Sequence, residues 1–325
     1  MKHILAILTF IALMLPAHAA DVTLRVHTLV KSPHPYNDMA SFMKSELEEK
    51  SDGRIAVKIF DAGQLGQDPA VLSEMALGTI DVMISTTSNA AQEIPEFAIF
   101  NMPYLFGSID EMADTVAPGS AVHQHFETVY QDRGVGMKLL ALGGSGTRNL
   151  ATADVTVTSL DDLKGLKMRT PPSPMVARTW AALDMLPVTV AWGELYAAMQ
   201  TGVAEAMESS LAGYTGSKLY EVAPNLALTG HTVQANHISV SDVTWKKLPD
   251  DLKMLLQETA EAANRHGVEK AKEYDGALVD QLAQEHGVNV SRPDTSLFIA
   301  KLKPSQIALA EEMDLAEEYA LITGN

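Results

Sequence analysis

Short β-rich runs alternate with amphipathic helical stretches along this chain, and that alternation restricts it to folds in which helices flank open sheets. Residues 23–26 read as a strand, and behind it Tyr36, Met39, Phe42, Met43 and Leu47 recur at helical spacing. Residues 55–60 form the next strand and 68–77 a helix, while 80–85 is an apolar run suited to a strand buried on both faces. Ser108 caps a helix that opens at Ile109, and the strand at 137–142 runs into Gly143-Gly144-Ser145-Gly146. A second cycle follows, with strands at 166–169, 188–190 and 206–208 and helices at 173–183, 194–201 and 211–220. Two cycles predict two sheets and therefore two lobes, each an open, mostly parallel α/β sheet flanked by helices. From Pro249 the pattern changes: Leu252, Leu256, Ala263, Leu278 and Leu282 mark one helix of about thirty residues, well beyond the mean helix length. Such a helix is long enough to bridge both lobes, and no low-complexity tether separates them.

The N-terminus places Lys2 before an apolar run from Ile4 to Leu15 and then Pro16-Ala17-His18-Ala19-Ala20, the pattern of a cleavable secretory signal. That run is shorter than the roughly twenty residues that span a bilayer, so export to the periplasm is expected. The chain has no cysteine, which excludes a disulfide framework and thiolate chemistry. Its 24 Lys and Arg against 41 Asp and Glu give a formal charge of −17, a surface that repels phosphate backbones and argues against a nucleic-acid partner. An anionic small molecule is still admissible, because distant charges are screened beyond about 8 Å at physiological salt and local arginines decide binding.

Few motifs carry catalytic chemistry. Gly143-Gly144-Ser145-Gly146 lacks the Gly-Lys-Ser/Thr ending of a phosphate loop, and Ser145 has no glycine two residues on, as a nucleophile elbow requires. A hinge or turn between the lobes is the expected role. His123-Gln124-His125 lies in a helical stretch and reads as a solvated face, and no metal-ligand spacing occurs. No metal, no cofactor and no catalytic residue is therefore predicted; a periplasmic hydrolase would need a nucleophile and base that are not visible. Arg148, after the glycine run, and Arg169, at a strand end, sit where open α/β sheets bind ligands, and a guanidinium grips a carboxylate through two parallel hydrogen bonds.

Leu163-Lys164-Gly165-Leu166-Lys167-Met168-Arg169-Thr170-Pro171 and the stretch from Trp192-Gly193-Glu194-Leu195-Tyr196 to Gln200-Thr201-Gly202-Val203 closely resemble the signature of TRAP transporter substrate-binding proteins of the DctP type. Gln64-Leu65-Gly66, Gly146-Thr147-Arg148-Asn149 and Leu248-Pro249-Asp250-Asp251-Leu252 match the same family in the same order. The resemblance implies a two-lobed periplasmic clamshell that binds a small carboxylate and delivers it to small and large integral-membrane subunits, with a monomeric receptor as the family default. It places Arg169 as the principal carboxylate-binding arginine, Arg148 as a second, and Trp192 as an aromatic wall of the pocket. Where the family often has asparagine this chain has Ser209, and where sialic-acid-binding relatives carry glutamate it has Thr86. Both are expected ligand contacts, and Thr86 argues against that amino sugar. The expected division is a signal peptide at 1–20, lobe I from 21–145 and 234–273, and lobe II from 146–233 and 274–325. A zwitterion such as ectoine, using Trp192 for a cation–π contact, and a sensor role for a receptor kinase are the rival readings.

Overall fold

The structure is a computed structural model and describes residues 20–324. The signal segment expected at 1–20 falls, but for its last residue, outside them. Nine strands form one sheet: β1 (Val22–Thr28), β2 (Ile55–Phe60), β3 (Val82–Thr86), β4 (Met137–Thr152), β5 (Lys167–Thr170), β6 (Leu186–Thr189), β7 (Ala206–Ser210), β8 (Asn225–Ser241) and β9 (Asn289–Ser291). Their order is β2-β1-β3-β8-β4-β7-β5-β6, with β9 beside β8.

The two expected cycles are the two ends of this order. β2, β1 and β3 pair in parallel, as do β5 and β6 and the contact of β5 with β7. Between them run β4 and β8, 16 and 17 residues long, antiparallel to each other and to their outer neighbours β7 and β3. The sheet is therefore mixed, and the lobes of the clamshell share two crossover strands. Apolar side chains cover both faces at each end. Leu24, Val26 and Val57 pack on Met39, Met43 and Leu47 of the helix Pro35–Lys50, as the spacing predicted, with Phe97 and Phe126 in the core on the other face. Beneath β5 and β7, Met168, Trp180 and Phe298 fill one cluster and Met207, Tyr214 and Leu282 another.

The long helix runs from Asp250 to His286, 37 residues, and ends where Gly287 adopts a left-handed conformation. Leu256 and Ala263 serve the first half of the molecule while Leu278 and Leu282 serve the second, so the helix spans both.

Three sequence expectations need correction. The two expected sheets are one, because the long strands β4 and β8 join their ends. Gly143–Gly146 is not a turn: the four residues lie inside β4, where the ladder to β8 shifts register between Gly144 and Thr147. A Cβ at Gly143 would sit 2.4 Å from Asn264 Oδ1, so glycine there lets the long helix approach, and Gly146 has φ +125°, which accommodates the bulge. His123 is also not on a solvated face, since it is buried with its ring nitrogen 3.3 Å from the Val116 carbonyl.

Candidate ligand-binding site

The parallel strands end toward one region between the halves, and the segments that leave them line a single cavity. From the first half come Ser85 and Thr86 at the end of β3, Ser88 and Asn89 in the short helix after it, Asp68 at the start of the helix Asp68–Ala76, and His34 and Tyr36 at the start of the helix behind β1. The second half supplies Arg169 from β5, Ser209 from β7 and Trp192 from the turn after β6. Arg148 and Gln234 come from the crossover strands. All five residues expected from the sequence, Arg169, Arg148, Trp192, Ser209 and Thr86, line this one space.

The two arginines differ. Arg148 donates from Nη2 to Glu208 Oε1 at 2.6 Å, from Nε to the other oxygen of that carboxylate, and from Nη1 to Gln234 Oε1 at 2.5 Å. His231 Nε2 lies 3.4 Å from the same carboxylate. Burial alone would raise the Glu208 pKa, but Arg148 and His231 overcome it and hold the group well below the usual carboxylate range. The pair is thus charged and mutually satisfied. Arg169 is 1% exposed and donates only from Nε, to the Val190 carbonyl at 2.9 Å; among the described residues no carboxylate lies within ion-pair distance. Burial depresses its pKa to about 10, with Glu208 opposing and Arg148 adding to the shift. The Trp192 ring centroid lies 5.7 Å from its guanidinium carbon.

Opposite the arginines the wall is polar and largely self-bonded. Asp68 takes a hydrogen bond from Asn89 Nδ2 at 2.7 Å and another from Ser85 Oγ, and its Oδ1 lies 3.1 Å from His27 Nε2. Thr86 caps the short helix Thr87–Ala90 by accepting from the Ser88 backbone N–H. Sequence reasoning missed Asp68, Ser85, Ser88, Asn89, His34 and Gln234. Asp68 did stand at a helix start, a visible signal, whereas Gln234 lies in a strand that the periodicity did not expose. Among the described residues no cluster of three metal-ligating side chains occurs, and no helix is long and apolar enough to cross a membrane.

Two sheet ends meeting around a buried, unpaired guanidinium define a two-lobed binding protein. The family model for bacterial extracellular solute-binding proteins, family 7 (DctP), matches residues 26–312. A solute-binding protein of Sulfitobacter sp. (strain NAS-14.1) is 30% identical, covering 92% of this chain and 90% of the relative. Among solved structures, a TRAP periplasmic solute-binding protein of Sulfitobacter sp. with bound α-D-taluronate superposes with TM-score 0.85 at 30% identity, covering 93% of this chain and 97% of that one. Another, from Bordetella bronchiseptica with density assigned as pantoate, gives TM-score 0.85 at 26% identity over 92% and 98%. The chain belongs to solute-binding protein family 7, the substrate-binding receptors of TRAP transporters, and is a receptor and not an enzyme.

Proposed function

We propose that this protein is a periplasmic receptor that captures a small hydroxylated carboxylate, a sugar acid in the first instance, and hands it to the small and large membrane subunits of a TRAP transporter. Arg169 takes the carboxylate bidentately, Ser209, Thr86 and the one Arg148 N–H not held by Glu208 or Gln234 contact the remaining oxygens, and Trp192 covers one face. The observation that carries this reading is the Arg169 guanidinium, buried in a cavity wall with no counter-ion of its own. A buried cation is costly until an anion arrives, so the ligand supplies the missing charge.

Lobes I (21–145, 234–273) and II (146–233, 274–325) close on the ligand because residues of both halves touch it only when they meet; a ligand holds the closed state by binding it better than the open one. The polar wall of Asp68, Thr86, Ser88 and Asn89 suits hydroxyl groups, which can add to its hydrogen bonds, and disfavours a purely aromatic or aliphatic acid, which would strip water from it and return nothing. The bound taluronate and pantoate of the two relatives are both hydroxylated carboxylates. A zwitterion such as ectoine is less well served, since the Asp68 oxygens already hold three neighbours and Trp192 faces Arg169.

A thermal-shift screen over D-taluronate, D-glucuronate, D-galactonate, pantoate, succinate and ectoine tests this. A binder at a hundred times its dissociation constant stabilises by about 2.7 kcal/mol. Shifts with the hydroxylated acids are the expected result. A flat response to the five other acids with a shift from ectoine alone would overturn the assignment.

A further inference from the structure

His34 lies at the junction of the β1 loop and the helix Pro35–Lys50, and it serves as that helix's N-cap. Its Nδ1 accepts the Tyr36 backbone N–H at 3.2 Å, and the ring meets the Tyr36 ring edge-on at 4.3 Å. An imidazole nitrogen that accepts carries no proton, so in the neutral ring the proton resides on Nε2. The side chain is 2% exposed and lines the cavity. Among the described residues no side chain or carbonyl accepts from Nε2. Burial, and then the positive charge of Arg148, hold the pKa down at about 3, so the ring stays neutral through the physiological range.

We infer that His34 is a specificity-determining residue: capping fixes its tautomer, and the fixed tautomer presents a neutral N–H donor that must be met by an oxygen acceptor on the ligand, a hydroxyl, ring or carbonyl oxygen. The inference rests on the proposed function and sharpens it. Arg169 recognises the charged head, which every carboxylate has. A neutral donor elsewhere in the same cavity selects for what the rest of the ligand carries, and it rejects an ammonium or a methyl group placed against it. Helix capping and ligand selection are thus coupled through the two nitrogens of one ring.

The two roles separate experimentally. In His34→Asn the side-chain oxygen still caps the helix, asparagine being among the best N-caps, but nothing reaches the place of Nε2. With D-taluronate, D-galactonate and D-glucuronate as probes, the variant should melt close to the wild type without ligand. It should bind about tenfold more weakly whichever of the three the wild type binds best, in line with a lost hydrogen bond that leaves an acceptor unpaired. Nitrogen-15 NMR of the ring, recorded from pH 5 to 8, should show Nδ1 bare and Nε2 protonated. Equal affinity of His34→Asn and wild type, or a proton on Nδ1, would overturn the inference while leaving the receptor assignment standing. Should none of the three acids bind the wild type, the sugar-acid reading fails and takes the inference with it, while the receptor assignment stands on the family match. If His34→Asn melts far below the wild type, His34→Gln and the NMR signature decide instead.

Discussion

Arg148 and Arg169 are the same side chain, buried one β-strand apart on either side of β7, and they do opposite work. Arg148 spends its donors on Glu208 and Gln234 and so ties the crossover strands β4 and β8 to β7. Arg169 leaves both terminal nitrogens to the cavity and spends one donor on a neighbouring carbonyl. Burial therefore does not by itself make an arginine the seat of a ligand's charge. What distinguishes the two is whether the sheet already carries a counter-charge, and in this protein it does so on one strand only.

Removing Arg148 should break that comparison most severely. Arg148→Met leaves the Glu208 carboxylate buried beside His231 alone, and stripping one partner from a buried pair costs about 3–5 kcal/mol. Urea denaturation of the ligand-free protein should show a loss of that size; a loss below about 1 kcal/mol would mean the pair behaves as an exposed one.

Arg169→Met should do the reverse. The ligand-free protein keeps its stability or gains some, because an unpaired buried cation is removed. Its affinity for the best-binding sugar acid should fall at least about thirtyfold, as expected when a desolvated charge loses its partner at about 2–5 kcal/mol. Isothermal titration decides: a change under about threefold would show that the carboxylate is held elsewhere.

Two buried histidines give the protein a pH dependence of their own. Burial lowers the His34 pKa to about 3 and that of His237 to about 4. In the unfolded chain both return to about 6.5. A depressed histidine contributes stability that is present above the unfolded value and lost as pH falls toward the folded one. Stability should thus decline as pH drops below about 6.5, by up to about 1.4 kcal/mol per pH unit for each such ring. Glu208 acts in the same direction, but only below the usual carboxylate range near 4.3. Melting temperatures measured from pH 7.5 to 4.5 check the sign, and a rise on acidification would contradict it.

The fold's outer ends were legible because strands such as β2 and β3 are rich in apolar residues and the helix Pro35–Lys50 shows a clear stripe of Met39, Met43 and Leu47. The centre was not. β8 carries Thr229, His231, Thr232, Gln234, Asn236 and His237, all buried, and that polarity hides the strand that joins the halves. The same blindness hid much of the site. Arg169 and Trp192 were reachable through their motifs, whereas Gln234 and the Asp68 network depend on hydrogen bonds between residues far apart in sequence, which periodicity does not encode. The glycines misled for a related reason: in Gly143 and Gly146 the sequence signals backbone freedom, and only packing reveals that a neighbouring helix and a bulge use it.

Ser209 provides the finest distinction between the two arginines, because β7 carries it next to Glu208, the counter-ion of one, and opens it on the cavity of the other. It pairs across the ladder with Asn149, one residue from Arg148. A Cβ on Gly213 would stand 2.6 Å from its Oγ, so with glycine there the helix after β7 closes over the hydroxyl without displacing it. No described residue bonds that hydroxyl, so its partner is the ligand or a water that bridges to it. Ser209→Ala removes one neutral hydrogen bond, about 0.5–1.5 kcal/mol, and should weaken sugar-acid binding two- to tenfold by titration. Neither the melting temperature nor the pH profile should move, since Arg148 and Glu208 remain intact. A loss of stability in this variant would show that Ser209 belongs to the Arg148 pair and not to the Arg169 cavity.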